Sequence, residues 1–216
     1  MTQQEQIERT IEFVKAELSN AEGGHDWWHI HRVWKNACTI AKTEPADIFI
    51  VELGSLLHDI ADHKFNGGND NIGIEKAGNF LMSIDVTHDV IRHVQEVIAN
   101  ISFKGGNSKT TFFSPELAVI QDADRLDAIG AIGIARAFNY GGFKGRQMYH
   151  PGIKPVMNMS VEEYKNSTAP TINHFYEKLL LLKDRMNTES GRKLAEARHN
   201  FMLQYLDHFF VEWEGK

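Results

Sequence analysis

Three His-Asp dipeptides occur in this chain of 216 residues with 11 histidines and 12 aspartates, where chance alone gives about 0.6. His25-Asp26 precedes a tryptophan pair at an expected turn. His88-Asp89 follows Thr87 at an expected helix start, where an acidic side chain meets the positive end of the helix dipole. His58-Asp59 has no such ready account. It lies in Leu53-Gly-Ser-Leu-Leu-His-Asp-Ile-Ala-Asp, an apolar stretch in which burying an unpaired carboxylate costs several kcal/mol. Coordinating a metal ion offsets that cost. Neighbouring helix positions are about 100° apart, so one imidazole and one carboxylate can bind one ion from adjoining faces. Further ligands must come from elsewhere. His29-Ile-His-Arg-Val supplies a histidine, and Gln121-Asp-Ala-Asp-Arg-Leu-Asp supplies several carboxylates.

The elements that must position these groups are helical. Ile7, Ile11, Phe13, Val14 and Leu18 share a face of a helix from Thr2 to about Ser19, and a turn follows over Asn20 to Gly24. A second helix takes in Trp27 to about Lys42. Pro45, in a first-turn position, starts a third that runs through Ile60 and is apolar nearly all round, as a central core helix is. Past a loop at 65–71, helices are expected over Ile74 to Ile84 and Val86 to Asn100. Ser114-Pro115-Glu116 begins another that reaches about Leu126. A helix over Ala128 to Phe138 precedes a glycine-bearing surface loop from Asn139 to Asn158. Two long helices, about Val161 to Met186 and Ser190 to Phe210, end the chain. No repeat and no alternating strand pattern is present. The expectation is an all-α, single-domain helical bundle over 1–216, with a metal-binding core at about 25–130 completed by C-terminal helices at about 160–212.

With these residues in view, the sequence resembles the HD-domain superfamily of metal-dependent phosphohydrolases. His29, with Arg32 and Val33, matches its H-x-x-R-V histidine. His58 and Asp59 match its central pair, and Asp124, between Ala123 and Leu126, matches its distal aspartate. The phrases His-Asp-Trp-Trp-His, Leu-Leu-His-Asp-Ile-Ala-Asp-His-Lys, Ile-Ser-Phe-Lys-Gly-Gly and Asp-Ala-Asp-Arg-Leu-Asp-Ala-Ile-Gly look like the bacterial branch similar to nucleotide pyrophosphohydrolases. That likeness extends to the loop near Tyr149. The resemblance implies one divalent ion on His29, His58, Asp59 and Asp124. It also implies hydrolysis by a metal-activated water, with a nucleoside triphosphate cleaved to monophosphate and pyrophosphate. The neighbouring reading is a 5'-nucleotidase-type phosphomonoesterase, and further off stand a di-iron oxygenase and a non-catalytic ligand sensor.

A set of two histidines and two carboxylates suits Mn²⁺, Fe²⁺, Co²⁺, Ni²⁺ or Zn²⁺ better than Mg²⁺, and manganese is the ion expected. Asp62, three residues after Asp59 and four after His58, shares their helix face. There it can orient or deprotonate the water, or else cap the helix or pair with Lys64. Lys64 can itself hold a phosphate. A triphosphate carries more charge than one ion neutralises, so Lys104, Arg125, Lys144 and Arg146 are candidate substrate contacts. Asp127 is a candidate contact to sugar or base, or a partner for the start of the following helix. His88 and His93 lie where two-metal members of the superfamily place additional ligands, but their five-residue spacing fits no single helix face. Trp27, Trp28 and Trp34 fall at core spacing, although a tryptophan can also stack on a base.

Composition narrows the partners. A formal charge of −6, with 42% hydrophobic and 24% charged residues, argues against whole-surface attraction to DNA or RNA. It leaves room for a small nucleotide bound at a local cationic site. No apolar run of membrane-spanning length is present and the N-terminus lacks a secretory pattern. The single Cys38 cannot form an internal disulfide. The expectation is a cytoplasmic protein, with the apolar stripes of the last two helices serving as core or as a homo-oligomer face.

Overall fold

The computed structural model describes residues 1–19, 26–60, 71–101 and 112–216. Among them every regular element is helical, as expected, and none is long and apolar enough to cross a membrane. The helices are α1 (Gln3–Glu17), α2 (Trp27–Ala41), α3 (Ile48–Leu57), α4 (Asn71–Ser83), α5 (His88–Asn100), α6 (Pro115–Asp127), α7 (Gly130–Phe143), α8 (Val161–Asn166), α9 (Thr171–Glu177) and α10 (Glu189–Trp213). Two 3₁₀ turns, Leu179–Leu181 and Lys183–Arg185, lie between α9 and α10. Contacts divide the chain into two compact units, Met1–Asp124 and Arg125–Lys216, and each is described by itself.

The first unit is built on α3, which packs against α1, α2 and α5. Val51, Leu53, Leu56 and Leu57 of α3 are fully buried, together with Ile30, Val33, Ala37 and Ile40 of α2 and Val94 and Val97 of α5. Burial of such side chains supplies about 1.5–3 kcal/mol each, and this is what holds a ten-residue helix in a wholly apolar setting. Gly54 marks a close approach in that core. A Cβ there would lie 2.7 Å from Cδ1 of Ile120 and 3.4 Å from Cγ1 of Val97.

Helix ends are closed by the side chains that physics favours. Thr2 and Glu5 form a reciprocal capping box on α1, and Ser114 Oγ accepts from Leu117 N–H at 3.1 Å at the start of α6. The third helix starts later than Pro45 because Asp47 caps it, accepting from the N–H groups of Phe49 (2.9 Å) and Ile50 (3.4 Å). Asp47 N–H is in turn held by Glu116 Oε1 at 2.8 Å, and Glu116 Oε2 lies 3.2 Å from His93 Nε2. Buried Glu116 thereby joins the starts of α3 and α6 to the middle of α5.

In the second unit α7 packs on α9 and α10. Two expectations are corrected here. The seventh helix runs to Phe143 rather than stopping at Phe138, because Gly141 does not break it. That glycine lies so close to Thr171 that a Cβ would come within 2.1 Å of the threonine Oγ1. The single helix expected over Val161 to Met186 is instead two short helices and two 3₁₀ turns. Pro170 has no N–H and turns the residue before it away from helix, and Ser167 is already extended (φ −63°, ψ 131°).

The Gly54 contact gives a stability prediction. Gly54→Val forces α3 away from Ile120 and Val97 and is expected to cost about 1–3 kcal/mol, read as a lower urea midpoint at unchanged slope. An unaltered midpoint refutes the close approach.

Candidate metal centre

The first turn of α2 and the end of α3 bring their histidines together. Asp26 caps α2, its carboxylate accepting from His29 N–H at 2.9 Å, which fixes the register of His29 three residues on. His58 forms the C-cap of α3 with helical torsions (φ −61°, ψ −28°), so its ring stays against the helix end. The two rings meet edge on, with centroids 5.5 Å apart and planes at 63°. Both residues are buried in the apolar unit, at 2% and 7% exposure.

The decisive detail is on His58. Its Nδ1 is 2.7 Å from the carbonyl of Ser55, so Nδ1 carries the proton and donates, and Nε2 holds a lone pair. That Nε2 is buried with no hydrogen-bond partner among the described residues. An orphaned ring nitrogen costs about 1–3 kcal/mol, and a second-shell carbonyl on the opposite nitrogen is how proteins orient metal-binding histidines.

The other donors converge on the same spot. One ligand atom each from His29, His58 and Asp59 lie within 4.8 Å of one another. His29 Nε2 is 4.0 Å from Asp59 Oδ2 and 3.6 Å from Asp124 Oδ1. These separations are long for hydrogen bonds. They match the spacing of about 3.0–4.2 Å expected between ligands held about 2.1 Å from one ion. Two neutral imidazoles and two carboxylates would balance a divalent charge. The residues present therefore fit a divalent cation. Asp59 is 17% exposed and Asp124 45%, so the Asp124 side is where the site is open.

Comparison with known proteins gives the same answer. A family model described as HD domain matches residues 27–129. YpgQ of Bacillus subtilis is 38% identical over 207 residues, spanning 95% of this chain and 93% of YpgQ. A crystal structure of an HD-superfamily hydrolase from Bacillus thuringiensis is 43% identical, superposes over 100% of both chains and has a TM-score of 0.81. The crystal structure of Bacillus subtilis YpgQ in complex with ADP is 37% identical over 98% of this chain and 97% of that one, with a TM-score of 0.77. The chain belongs to the HD-domain superfamily of metal-dependent phosphohydrolases. It is a metal-dependent phosphohydrolase, and its HD domain binds a divalent cation.

The remaining candidates of this HD-domain protein fall in several places. Asp62, Lys64 and Lys104 lie outside the described residues. Arg125 donates from Nη1 to the carbonyl of Arg185 at 2.8 Å. Asp127, expected to touch substrate or to partner the next helix, is 1% exposed and ion-paired with Arg136 of α7. Arg198 of α10 reinforces that corner by donating to the Leu126 carbonyl. Lys144 and Arg146 line a cleft of the second unit. His88 is exposed at the start of α5, and His93 Nε2 is directed to Ser114 Oγ (3.0 Å) and Glu116. Trp28 is 61% exposed, whereas Trp27 and Trp34 are half-buried. Burial, then the charge of Glu52, pushes the Cys38 thiol up to about 11, which leaves it protonated and inert.

Sequence reading did not single out Ser55 or the capping role of Asp26. Both had a signal. Ser55 sits three residues before His58, within reach for a helix-end carbonyl, and Asp26 directly precedes the first helical residue.

Replacing the orphaned ligand tests the centre. His58→Ala is expected to lower affinity for Mn²⁺ by about 100-fold or more, measured by calorimetry on metal-stripped protein, with helical circular dichroism retained. Undiminished metal binding by a folded His58→Ala protein removes His58 from the ligand set.

Proposed function

We propose that this HD-domain enzyme hydrolyses nucleoside triphosphates to the monophosphate and pyrophosphate, working on cytoplasmic nucleotides with manganese as its preferred ion. The observation that carries the reading is the set of His29, His58, Asp59 and Asp124 around the Nε2 of His58, which has no hydrogen-bond partner among the described residues. Two imidazoles and two carboxylates favour borderline divalent ions. The ADP complex of the related YpgQ supports a nucleotide carrying a phosphoanhydride bond as the substrate class.

Each residue then has a task. His29 and His58 present neutral nitrogens from a dry interior and fix the position of the centre. Asp59 and Asp124 supply the balancing charge, and Asp124 borders the open side at which a phosphate can enter. A divalent cation held there supplies electrostatic stabilisation of a phosphoryl group and lowers the pKa of a water. In the reaction a water oxygen bonds to the α-phosphorus and the bond to the β-phosphate oxygen breaks. Pyrophosphate leaves with that electron pair. Asp62, three residues after Asp59 in the sequence, is the proposed acceptor of the water proton. Lys64 is its proposed phosphate-binding neighbour.

Product analysis tests this. Metal-stripped protein resupplied with Mn²⁺, Mg²⁺, Co²⁺ or Zn²⁺ is expected to release pyrophosphate and monophosphate from nucleoside triphosphates, fastest with Mn²⁺. Asp59→Ala is expected to lose about 100-fold or more of that rate. Orthophosphate released from monophosphates, with triphosphates untouched, replaces the reading by a phosphomonoesterase. Asp62→Asn is expected to keep its metal while losing turnover, and full turnover in this variant excludes Asp62 as the base.

A further inference from the structure

The second unit carries a cleft of about 440 Å³ that the metal centre does not explain. Tyr140, Lys144, Gly145 and Arg146 line one side of it. Asn166, Ser167 and Thr168 line another. The volume lies within the range of about 300–1,000 Å³ typical of small-molecule sites. Its lining holds two cations and no carboxylate, in a chain whose acidic residues outnumber its basic ones by 29 to 23.

Both cations are drawn to one ring. Lys144 Nζ stands 5.7 Å from the centroid of Tyr140 and 5.4 Å from that of Phe143, and Arg146 Cζ is also 5.7 Å from Tyr140. Neither has a carboxylate partner among the described residues, so two like charges share an aromatic platform without a counterion. The arrangement is also held in place. Arg146 donates from Nη2 to the Ser167 carbonyl at 2.6 Å, which leaves its other guanidinium donors for a ligand. Arg146 N–H donates to the Gly141 carbonyl at 2.8 Å, and Gly145 turns the chain through a positive φ of 65° that glycine adopts without strain. Thr168 is among the residues that line this cleft.

We infer that this cleft is an anion site for a phosphoanhydride group, holding a pyrophosphate-like moiety between Lys144 and Arg146 beside Tyr140. Planar guanidinium and mobile ammonium together suit a chain of phosphate oxygens, since Arg engages two oxygens at once and Lys acts as a point charge. The inference is independent of the metal centre, because all of its residues belong to the second unit and none of them is a metal ligand.

A reporter group stands next to it. Tyr164 OH is 3.2 Å from His174 Nδ1. Burial, followed by the positive charges of Lys178 and Arg146, pushes His174 down to about 4. An anion bound at Arg146 cancels part of that positive field, so the His174 titration must move upward when the cleft fills.

Binding is measured on full-length, metal-stripped protein in the presence of chelator, so that turnover and the metal centre play no part. Pyrophosphate is the probe in calorimetry, with the His174 ring followed by NMR. Pyrophosphate is expected to bind with an affinity that falls as salt rises. Lys144→Glu, at an exposed position that leaves the fold intact, is expected to weaken it about tenfold or more, and Tyr140→Leu to weaken it less. The His174 midpoint is expected to rise with bound pyrophosphate. Competition with bound pyrophosphate by a nucleoside triphosphate identifies a nucleotide tail as the source of the anion, and binding of pyrophosphate undiminished by the triphosphate identifies a free ion. No binding to the metal-stripped protein, or equal binding by Lys144→Glu, overturns the inference. A failure of triphosphate hydrolysis leaves this result untouched, so the two readings fall separately.

Discussion

An imidazole nitrogen with no hydrogen-bond partner among the described residues, set in an apolar interior, is the constraint around which the first unit is arranged. Nothing in the packing of α3 requires a histidine at its end. Its residues from Phe49 to Leu57 are almost all buried, and a leucine in place of His58 would spare the desolvation of a polar ring. The histidine is nonetheless held, with its proton turned to the Ser55 carbonyl so that Nε2 faces His29, Asp59 and the centre they share. That arrangement is unfavourable without an ion and favourable with one. Metal binding therefore belongs to the stability of the unit as well as to its chemistry.

Precision at such a centre comes from helix ends rather than loops. His29 owes its register to the Asp26 cap, and His58 terminates α3. The start of α3 is fixed by Asp47, which Glu116 ties to the first turn of α6, and Glu116 and Ser114 together hold His93 of α5. Each cap contributes about 1 kcal/mol, yet the larger effect is geometric. Bonded through Glu116 and Ser114, the helices α3, α5 and α6 cannot slide along one another without breaking one of these contacts.

The framework was legible in the sequence because its signals are local. Apolar periodicity located α1, α2, α5 and α10 to within a few residues, and a His-Asp pair inside an apolar run marked the centre on energetic grounds alone. What escaped notice depends on contacts across the chain. Gly141 and Gly142 signal a turn, but the close approach of Thr171 makes glycine a packing requirement within α7. The leucine run from Leu179 to Leu182 reads as helix, whereas it forms 3₁₀ turns on a backbone that Pro170 and Lys178 (φ −143°) have already diverted. The start of α3 after an Asp47 cap, rather than at Pro45, is backed by a bond from Asp47 N–H to a glutamate 69 residues away.

The phrase Asp-Ala-Asp-Arg-Leu-Asp shows how far residue type alone can carry a site assignment. Asp122, Asp124 and Asp127 are chemically identical and lie on one helix, so spacing offers each of them as a ligand. Burial separates them. Asp122 is fully buried, Asp127 is 1% exposed against Arg136, and Asp124 alone keeps 45% of its side chain accessible, with one oxygen 3.6 Å from His29. A carboxylate that must bind an ion and still admit a phosphate needs an open side, which the other two lack. Asp127 works instead within the second unit, where its buried carboxylate pairs with the partly exposed Arg136 and feels the charge of Arg198. Removing Arg136 would leave the buried Asp127 carboxylate short of its ion-pair partner. One helix thus carries, three residues apart, an open carboxylate beside His29 and a buried one paired with an arginine, a difference that residue type alone does not reveal.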